Sequence, residues 1–389
     1  MTGEKIIVLS SRRKFLKNVA VGSAAAGSME LLPVRILSAE SSGPNAVVYR
    51  NLGSTGYRVS EVGFGAMNTR DAELIHAAID AGINYIDTAH GYMGGVNEEI
   101  IGQVLRTKRD KVFITTKVDS NNPDEIPAMI ETSLKRLNTD HVDLLLLHGL
   151  SQRAQILNND LMKMFGDARK KGQTRFVGFS NHSNHAESLD LAVESKFWQA
   201  VCVGYNHTSP PEVTESIQKA REAGLAIIAM KTQVKGRGYS DKSTENVSPQ
   251  QAALKWVLQN RFVDTTIPGM TSFEQLREDV AVMGMKITFD DNRTRNHYSR
   301  YAESDYCRGA AGCTGCLGAC PHGVAVSDIN RCVGYADGYG DFNLALENYR
   351  ELPRSSRIDR CSDCTECAVK CINGINLNES IQRAHELFT

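Results

Sequence analysis

From Tyr49 to Met283 the chain repeats one pattern eight times: a short run rich in aliphatic and β-branched residues, then an amphipathic stretch at helical spacing. The strand candidates are Val62–Met67, Ile83–Asp87, Val112–Lys117, Val142–His148, Thr174–Ser180, Ala200–Tyr205, Leu225–Met230 and Val263–Ile267. Between them Ile126, Ile130, Leu134 and Leu137 share one helical face, as do Ile100, Ile101, Val104 and Leu105. Gly82, Gly172 and Gly224 each end a helical run, where a left-handed cap suits a residue without Cβ. Strands that alternate with helices predict a parallel sheet covered by helices. Eight units in about 240 residues have the size of a closed α/β (β/α)8 TIM barrel. A doubly wound open sheet is the alternative, but no Gly-x-Gly-x-x-Gly turn follows the first strand.

In such a barrel, chemistry belongs at the C-terminal ends of the strands, where the βα loops converge. Asp87 closes the second strand run with Tyr92 soon after it, Lys117 closes the third and His148 the fourth. An acid, a phenol, an ammonium and an imidazole at one mouth suit proton transfer to an oxygen. An oxygen that gains negative charge in a reaction must be protonated as that charge forms. Tyr92 would be the acid; a free phenol has a pKa of about 10, and the Lys117 ammonium is expected to bring it down. Asp87 would hold Lys117 charged, and His148 would orient the substrate oxygen.

The run Gly82-Ile83-Asn84-Tyr85-Ile86-Asp87-Thr88-Ala89, with Tyr92 and Glu98 beyond it, resembles the aldo-keto reductase signature. Lys117 in Ile114-Thr115-Thr116-Lys117 and His148 in Asp143-Leu144-Leu145-Leu146-Leu147-His148 match the family's other two catalytic positions. The resemblance implies a nicotinamide cofactor, NADP or NAD, and a small carbonyl or alcohol substrate. It places Ser180 and Asn181 at the nicotinamide amide, and Lys231, Pro268, Gly269, Gln275, Glu278 and Asp279 among the cofactor-binding positions. Cys202 stands where the family usually has glutamine, and Met230 where many members carry a stacking tyrosine. Gly269 and Gln275 replace the Lys and Arg that many members aim at a 2'-phosphate, so NAD and NADP both stay open. These departures also leave a second class in play, an altered barrel serving as a ligand-binding or electron-transfer scaffold.

The cysteines define another unit. Of ten, only Cys202 precedes residue 300; the other nine lie between Cys307 and Cys371. Cys361-x2-Cys364-x2-Cys367-x3-Cys371 has the spacing of a ferredoxin cluster loop. Cys313-x2-Cys316-x3-Cys320-Pro321 is most of a second, with Ala310 where a first cysteine is usual and Cys307 as the substitute. The layout resembles helical two-cluster ferredoxins. That resemblance implies two 4Fe-4S clusters with exchanged fourth ligands: Cys307, Cys313, Cys316 and Cys371 on one, Cys320, Cys361, Cys364 and Cys367 on the other. Cys332 is left over. A zinc ribbon using Cys313, Cys316, Cys361 and Cys364 is the competing reading; it leaves the remaining cysteines unexplained.

At the other end, Ser11-Arg12-Arg13-Lys14-Phe15-Leu16-Lys17 followed by the small-residue run Val19–Gly27 has the layout of an export signal, and resembles a twin-arginine (Tat) signal. That pathway carries proteins already folded around their cofactors, which an iron-sulfur protein needs. The expected organisation is therefore a signal and linker at 1–45, a barrel at 46–290 and a small, mostly helical cysteine-rich domain at 291–389. The expected partners are the Tat machinery, a small-molecule carbonyl or alcohol, and a redox partner protein; the expected location is periplasmic or otherwise exported by the Tat pathway. A formal net charge of -1 with 23% charged residues gives no nucleic-acid footprint. The most apolar stretch, Val19–Leu37, is broken by Glu30, Pro33 and Arg35, so no transmembrane helix is expected in the mature chain.

Overall fold

A computed structural model describes residues 47–119, 123–182, 184–233, 248–296, 316, 318–338, 342–361, 364, 367–371 and 375–389. The expected signal and the expected ligands Cys307 and Cys313 lie outside the described residues.

The chain enters through an antiparallel hairpin, β1 (Tyr49–Asn51) and β2 (Arg58–Ser60). Eight parallel strands follow: β3 (Phe64–Gly65), β4 (Tyr85–Asp87), β5 (Phe113–Asp119), β6 (Val142–His148), β7 (Thr174–Asn181), β8 (Ala200–Gly204), β9 (Ala226–Met230) and β10 (Thr265–Thr266). Each pairs with its sequence neighbour, and the ring closes where β10 meets β3 through the bridges Val62 to Thr266 and Gly65 to Gly269. The fold is thus a (β/α)8 barrel. All eight expected strands are present. The first and last are shorter than their apolar runs suggest, because the seam is made by single bridges. There Gly63 N–H donates to Thr266 O at 2.7 Å and Gly65 N–H to Pro268 O at 3.0 Å. A Cβ on Gly65 would sit 2.6 Å from Ile267 O, so the seam closes only around glycine.

Two apolar layers follow from the two faces of each strand. One face of the ring packs Ile86, Ile114, Leu145, Val177, Val201 and Ile227 against the surrounding helices. The other fills the interior with Tyr85, Phe113, Leu144, Leu146, Cys202 and Ile228. The hairpin, which the strand pattern did not predict, plugs the N-terminal end: Leu52 and Val59 join the interior core, and the Tyr57 ring meets Phe113 and Phe176 edge-on at 5.3 and 5.9 Å. Gly82, Gly172 and Gly224 adopt φ of 97°, 74° and 95°, the left-handed caps expected of them.

The expected boundary between 290 and 291 falls inside a helical stretch, 289–296, that docks on the barrel. Its Asp291 accepts from Lys255 Nζ at 2.9 Å, with the Asp291 side chain fully buried. Beyond it, helices Val326–Val333, Phe342–Glu351 and Leu377–Phe388 enclose a separate core around Ile329, Ile358 and Ala384. Cys332, unassigned by spacing, is fully buried there as a small apolar side chain. Among the described residues, no helix is long and apolar enough to cross a membrane.

Candidate active site

Strand register brings the four expected groups to one end of the barrel. Asp87 ends β4, Lys117 lies on β5 opposite Leu146 of β6, and His148 ends β6. Tyr92 opens the turn Tyr92–Gly95, which turns sharply through left-handed Met93, Gly94 and Gly95 at φ of 53°, 61° and 100°. Asn97, whose role the sequence reading did not pick out, fastens that loop. Its amide donates to Ala66 O at 2.7 Å and Thr69 O at 3.2 Å, and its oxygen accepts from Thr88 Oγ1 at 2.6 Å.

Lys117 is the hub and is 1% exposed. Its ammonium donates to Asp87 Oδ1, to Thr88 O at 2.8 Å and to the Tyr92 hydroxyl at 3.2 Å. An ammonium has three protons, and here each has an acceptor. The Tyr92 oxygen therefore accepts a hydrogen bond from Lys117 and keeps its own O–H for another acceptor. The His148 ring meets the Tyr92 ring edge-on at 6.0 Å, and the His182 ring, another group the sequence reading missed, lies 5.8 Å from His148.

The electrostatics depart from expectation at Tyr92. Burial pushes its phenol above the ordinary value, and the Lys117 charge offsets only part of that rise while Asp87 adds to it. Burial also pushes the Asp87 carboxyl up, against the pull of Lys117. Burial alone would lower Lys117, but Asp87 and the neighbouring Tyr92 and Cys202 hold it above the usual lysine value. The result is a neutral, proton-bearing phenol beside a fixed ammonium. A broad surface hollow lined by Asn159, Met162, Arg169, Arg175 and Lys196, along the helix Asn159–Lys170 and the start of β7, contains none of these groups.

The expected cofactor positions separate into two groups. Pro268 and Gly269 form the turn after β10, with open space where a Gly269 Cβ would be. The helix Phe273–Val280 begins just beyond, capped by Ser272 Oγ, which accepts from Gln275 N–H at 3.2 Å. Its first-turn amides and adjoining turn suit a phosphate. The Gln275 side chain folds back to accept from Thr271 N–H at 2.7 Å. Lys231, left-handed at φ 54°, follows β9, and the adjacent Thr232 hydroxyl is buried without a hydrogen-bond partner among the described residues. These features fit a bound nucleotide. Ser180 and Asn181 end β7 at the same mouth but are fully buried. Asn181 donates to Leu150 O at 2.7 Å and Ser188 Oγ at 2.9 Å and bonds His185 Nδ1, so its amide already braces the loops. Glu278 gives its backbone carbonyl to Gln251 at 2.9 Å, and the buried Asp279 accepts from Gln233 at 2.8 Å, its carboxyl pushed up to about 8 by burial. Cys202 is fully buried beside Ser180, its thiol pushed up by burial, and Met230 is 8% exposed.

In the C-terminal unit the thiols of Cys320, Cys364 and Cys367 lie near enough to Cys361 for their charges to act on it. Burial first, then those three, push Cys361 up to about 11. One thiol of the first motif thus lies beside three of the second. Cys316 and Cys371 pack against the same apolar core. Among the described residues no three His, Cys, Asp or Glu side chains converge as a single metal ion would gather them.

The family model described as "Aldo/keto reductase family" matches residues 61–246 and 239–296. An uncharacterized oxidoreductase of Bacillus subtilis is 26% identical over 279 residues, covering 59% of this chain and 89% of that protein. A methylglyoxal reductase of Salmonella typhi is 26% identical over 249 residues, covering 59% of this chain and 89% of its own. The crystal structure of an aldo-keto reductase from Klebsiella pneumoniae in complex with NADPH superposes with a TM-score of 0.53 at 22% identity, covering 64% of this chain and 95% of that one; this likeness is one of fold. Everything after residue 296 lies outside the family match.

Proposed function

The chain belongs to the aldo/keto reductase family and is an oxidoreductase of that type, and from this premise we propose that its barrel interconverts a small carbonyl compound and the matching alcohol with NADP or NAD, in an exported protein whose C-terminal cysteines hold 4Fe-4S clusters. The observation that carries the reading is the Lys117 ammonium, whose three protons go to Asp87, Thr88 O and Tyr92.

Tyr92 acts as the acid. With its oxygen already accepting from Lys117, its own proton is available to the oxygen of a carbonyl as negative charge builds there, and Lys117 steadies the phenolate left behind. Asp87 keeps Lys117 charged in a site from which water is excluded, and His148 fixes the direction of the substrate oxygen. The nicotinamide nucleotide supplies the hydride when bound; the Pro268–Gly269 turn, the amides opening Phe273–Val280, and Lys231 would hold it. The clusters supply one-electron transfer or brace the C-terminal unit, with Cys320, Cys361, Cys364 and Cys367 on one and Cys307, Cys313, Cys316 and Cys371 on the other.

The test is NADPH and NADH oxidation by anaerobically purified chain with small aldehydes and ketones, methylglyoxal included. Tyr92→Phe is expected to lose about 100-fold or more in kcat while keeping its iron and its folded spectrum. Wild-type chain that turns over no carbonyl would favour the binding or electron-transfer scaffold. Export rests on Arg12 and Arg13 in their twin-arginine setting. The double substitution Arg12→Lys, Arg13→Lys is expected to hold the chain in the cytoplasm, read by fractionation; undiminished appearance in the periplasm would refute a Tat route.

A further inference from the structure

At the end of the barrel away from the mouth, where helices end and strands begin, arginines gather. A hollow of about 510 Å³ opens beside the β1–β2 hairpin, lined by Arg50 and Arg58 of the hairpin and by Arg221 and Arg261, with Asp264 in the same wall. Arg221 lies in the last turn of the helix Pro211–Glu222, and Arg261 follows the helix Pro249–Gln259. The whole chain has a formal net charge of -1, so four guanidiniums around one hollow are not a sample of a generally basic surface.

The four have different tasks. Arg50 is committed to the fold: its guanidinium pairs with Glu61 at 2.8 and 2.7 Å and donates to the carbonyls of Leu258, Asn260 and Val263, at and just beyond the end of the neighbouring helix. Arg221 is held by Asp264, which is 1% exposed; Nε donates to Asp264 Oδ1 at 2.6 Å and Nη2 to Asn51 O at 3.2 Å, which leaves Nη1 uncommitted. Asp264 also accepts from the N–H groups of Gly53 and Ile227, both at 2.9 Å, so a buried carboxylate fixes where the Arg221 guanidinium stands. Arg58 and Arg261 are exposed. Among the described residues Arg58 donates once, from Nη2 to Tyr49 O at 3.0 Å, and Arg261 lies over the Phe262 ring at 4.7 Å without donating a hydrogen bond. Glu61 and Asp264 thus neutralise Arg50 and Arg221 one for one, and the charges of Arg58 and Arg261 stay uncompensated over the same hollow. Arg50 already caps the adjacent helix end, so Arg261 is not needed there. Two like charges held at one hollow repel each other, and a dianion between them would reverse the sign of that interaction.

We propose that this hollow is a second binding site, for a ligand that carries a phosphoryl group. Planar guanidinium forks take the oxygens of such a group two at a time, and two uncompensated positive charges match its two negative ones. Arg58 and Arg261 supply the charge, and the fixed Nη1 of Arg221 supplies direction. The site shares no residue with the mouth that holds Tyr92 and Lys117, so it stands whether or not that mouth reduces a carbonyl.

The experiment is calorimetry of full-length chain with inorganic pyrophosphate, in the presence of NADPH so that the Pro268–Gly269 turn does not contribute. The double variant Arg58→Gln, Arg261→Gln is expected to bind about tenfold more weakly or worse, with NADPH affinity and the thermal midpoint of the ligand-free chain unchanged. Arg261→Lys, which keeps the charge and loses the fork, falls between the two. A control with Arg169→Gln and Lys196→Gln removes the same charge from the other hollow and is expected to leave pyrophosphate binding intact. Pyrophosphate binding with this pattern upholds a soluble phosphate ester as the ligand. Capture by phosphatidic acid vesicles in its place, lost in the Arg58 and Arg261 double variant, upholds the site with a lipid headgroup as the source. Wild-type chain that takes up neither probe, undiminished binding in the double variant, or an equal loss in the control would overturn the proposal.

Discussion

A lysine ammonium buried among three acceptors decides the protonation of everything around it. Because Lys117 donates to the Tyr92 hydroxyl at 3.2 Å, the phenol proton is turned away from Lys117. Because burial raises the phenol and Lys117 offsets only part of that rise, Tyr92 keeps its proton well into alkaline solution. A general acid is active while protonated, and a raised pKa extends that range upward. The kcat/KM of reduction is therefore expected to hold past pH ~10, the ordinary phenol value, for as long as the fold survives. A profile that fell from near neutrality with the ionisation of Tyr92 would contradict the picture. The sequence placed Lys117 and Tyr92 together but gave the wrong direction for the phenol, because spacing shows the neighbouring charge and not the loss of water that outweighs it.

Strands explain why these side chains meet at all. A parallel barrel gives each strand the same direction, so residues that end β4 and β6 share a mouth with the loops that follow them. That much is written in the apolar runs, and β6 spans Val142–His148, the range read from sequence. The close approaches between strands are less visible. On β7 a Cβ added to Gly178 would lie 2.1 Å from the backbone oxygen of Ala200 on β8. Gly178→Ala must spread those strands and is expected to destabilise by about 1–3 kcal/mol, read as a lower urea midpoint. Unchanged stability would show that the strand pair is looser than described. The plug formed by β1 and β2 escaped detection because its residues are too few for a period, and their partners, Phe113 and Phe176, lie far along the chain.

At the scale of the molecule, two units with different chemistry meet over one mouth. The family match ends at residue 296, after the helix that Lys255 ties to the barrel, and the cysteine-rich unit begins beyond it. Within that unit the approach of Cys320 to Cys361, Cys364 and Cys367 joins two motifs that are distant in sequence. If the four share one cluster, Cys320→Ser and Cys361→Ser should each remove the same irons, about half of the total for two cubanes, and the double variant should remove no more. Additive losses, measured by iron analysis and absorption, would mean that each motif holds its own cluster.

The repeat of apolar runs and helical faces was enough to specify the barrel, since burial on both faces of a parallel strand leaves a near-continuous apolar signature. The order of Asp87, Tyr92, Lys117 and His148 along those runs was enough to specify their common rim, because each sits at or just past a strand end. The spacing of the cysteines named the candidate ligands in the same way, each local pattern carrying its own information. Three things needed the folded chain. One is the dehydration that raises Tyr92, and another is the internal hydrogen bonding that occupies Asn181. The third is the docking of Phe342–Glu351 on the Tyr92 turn. All three depend on which distant surfaces exclude water from each other, and a linear order of residues does not record that.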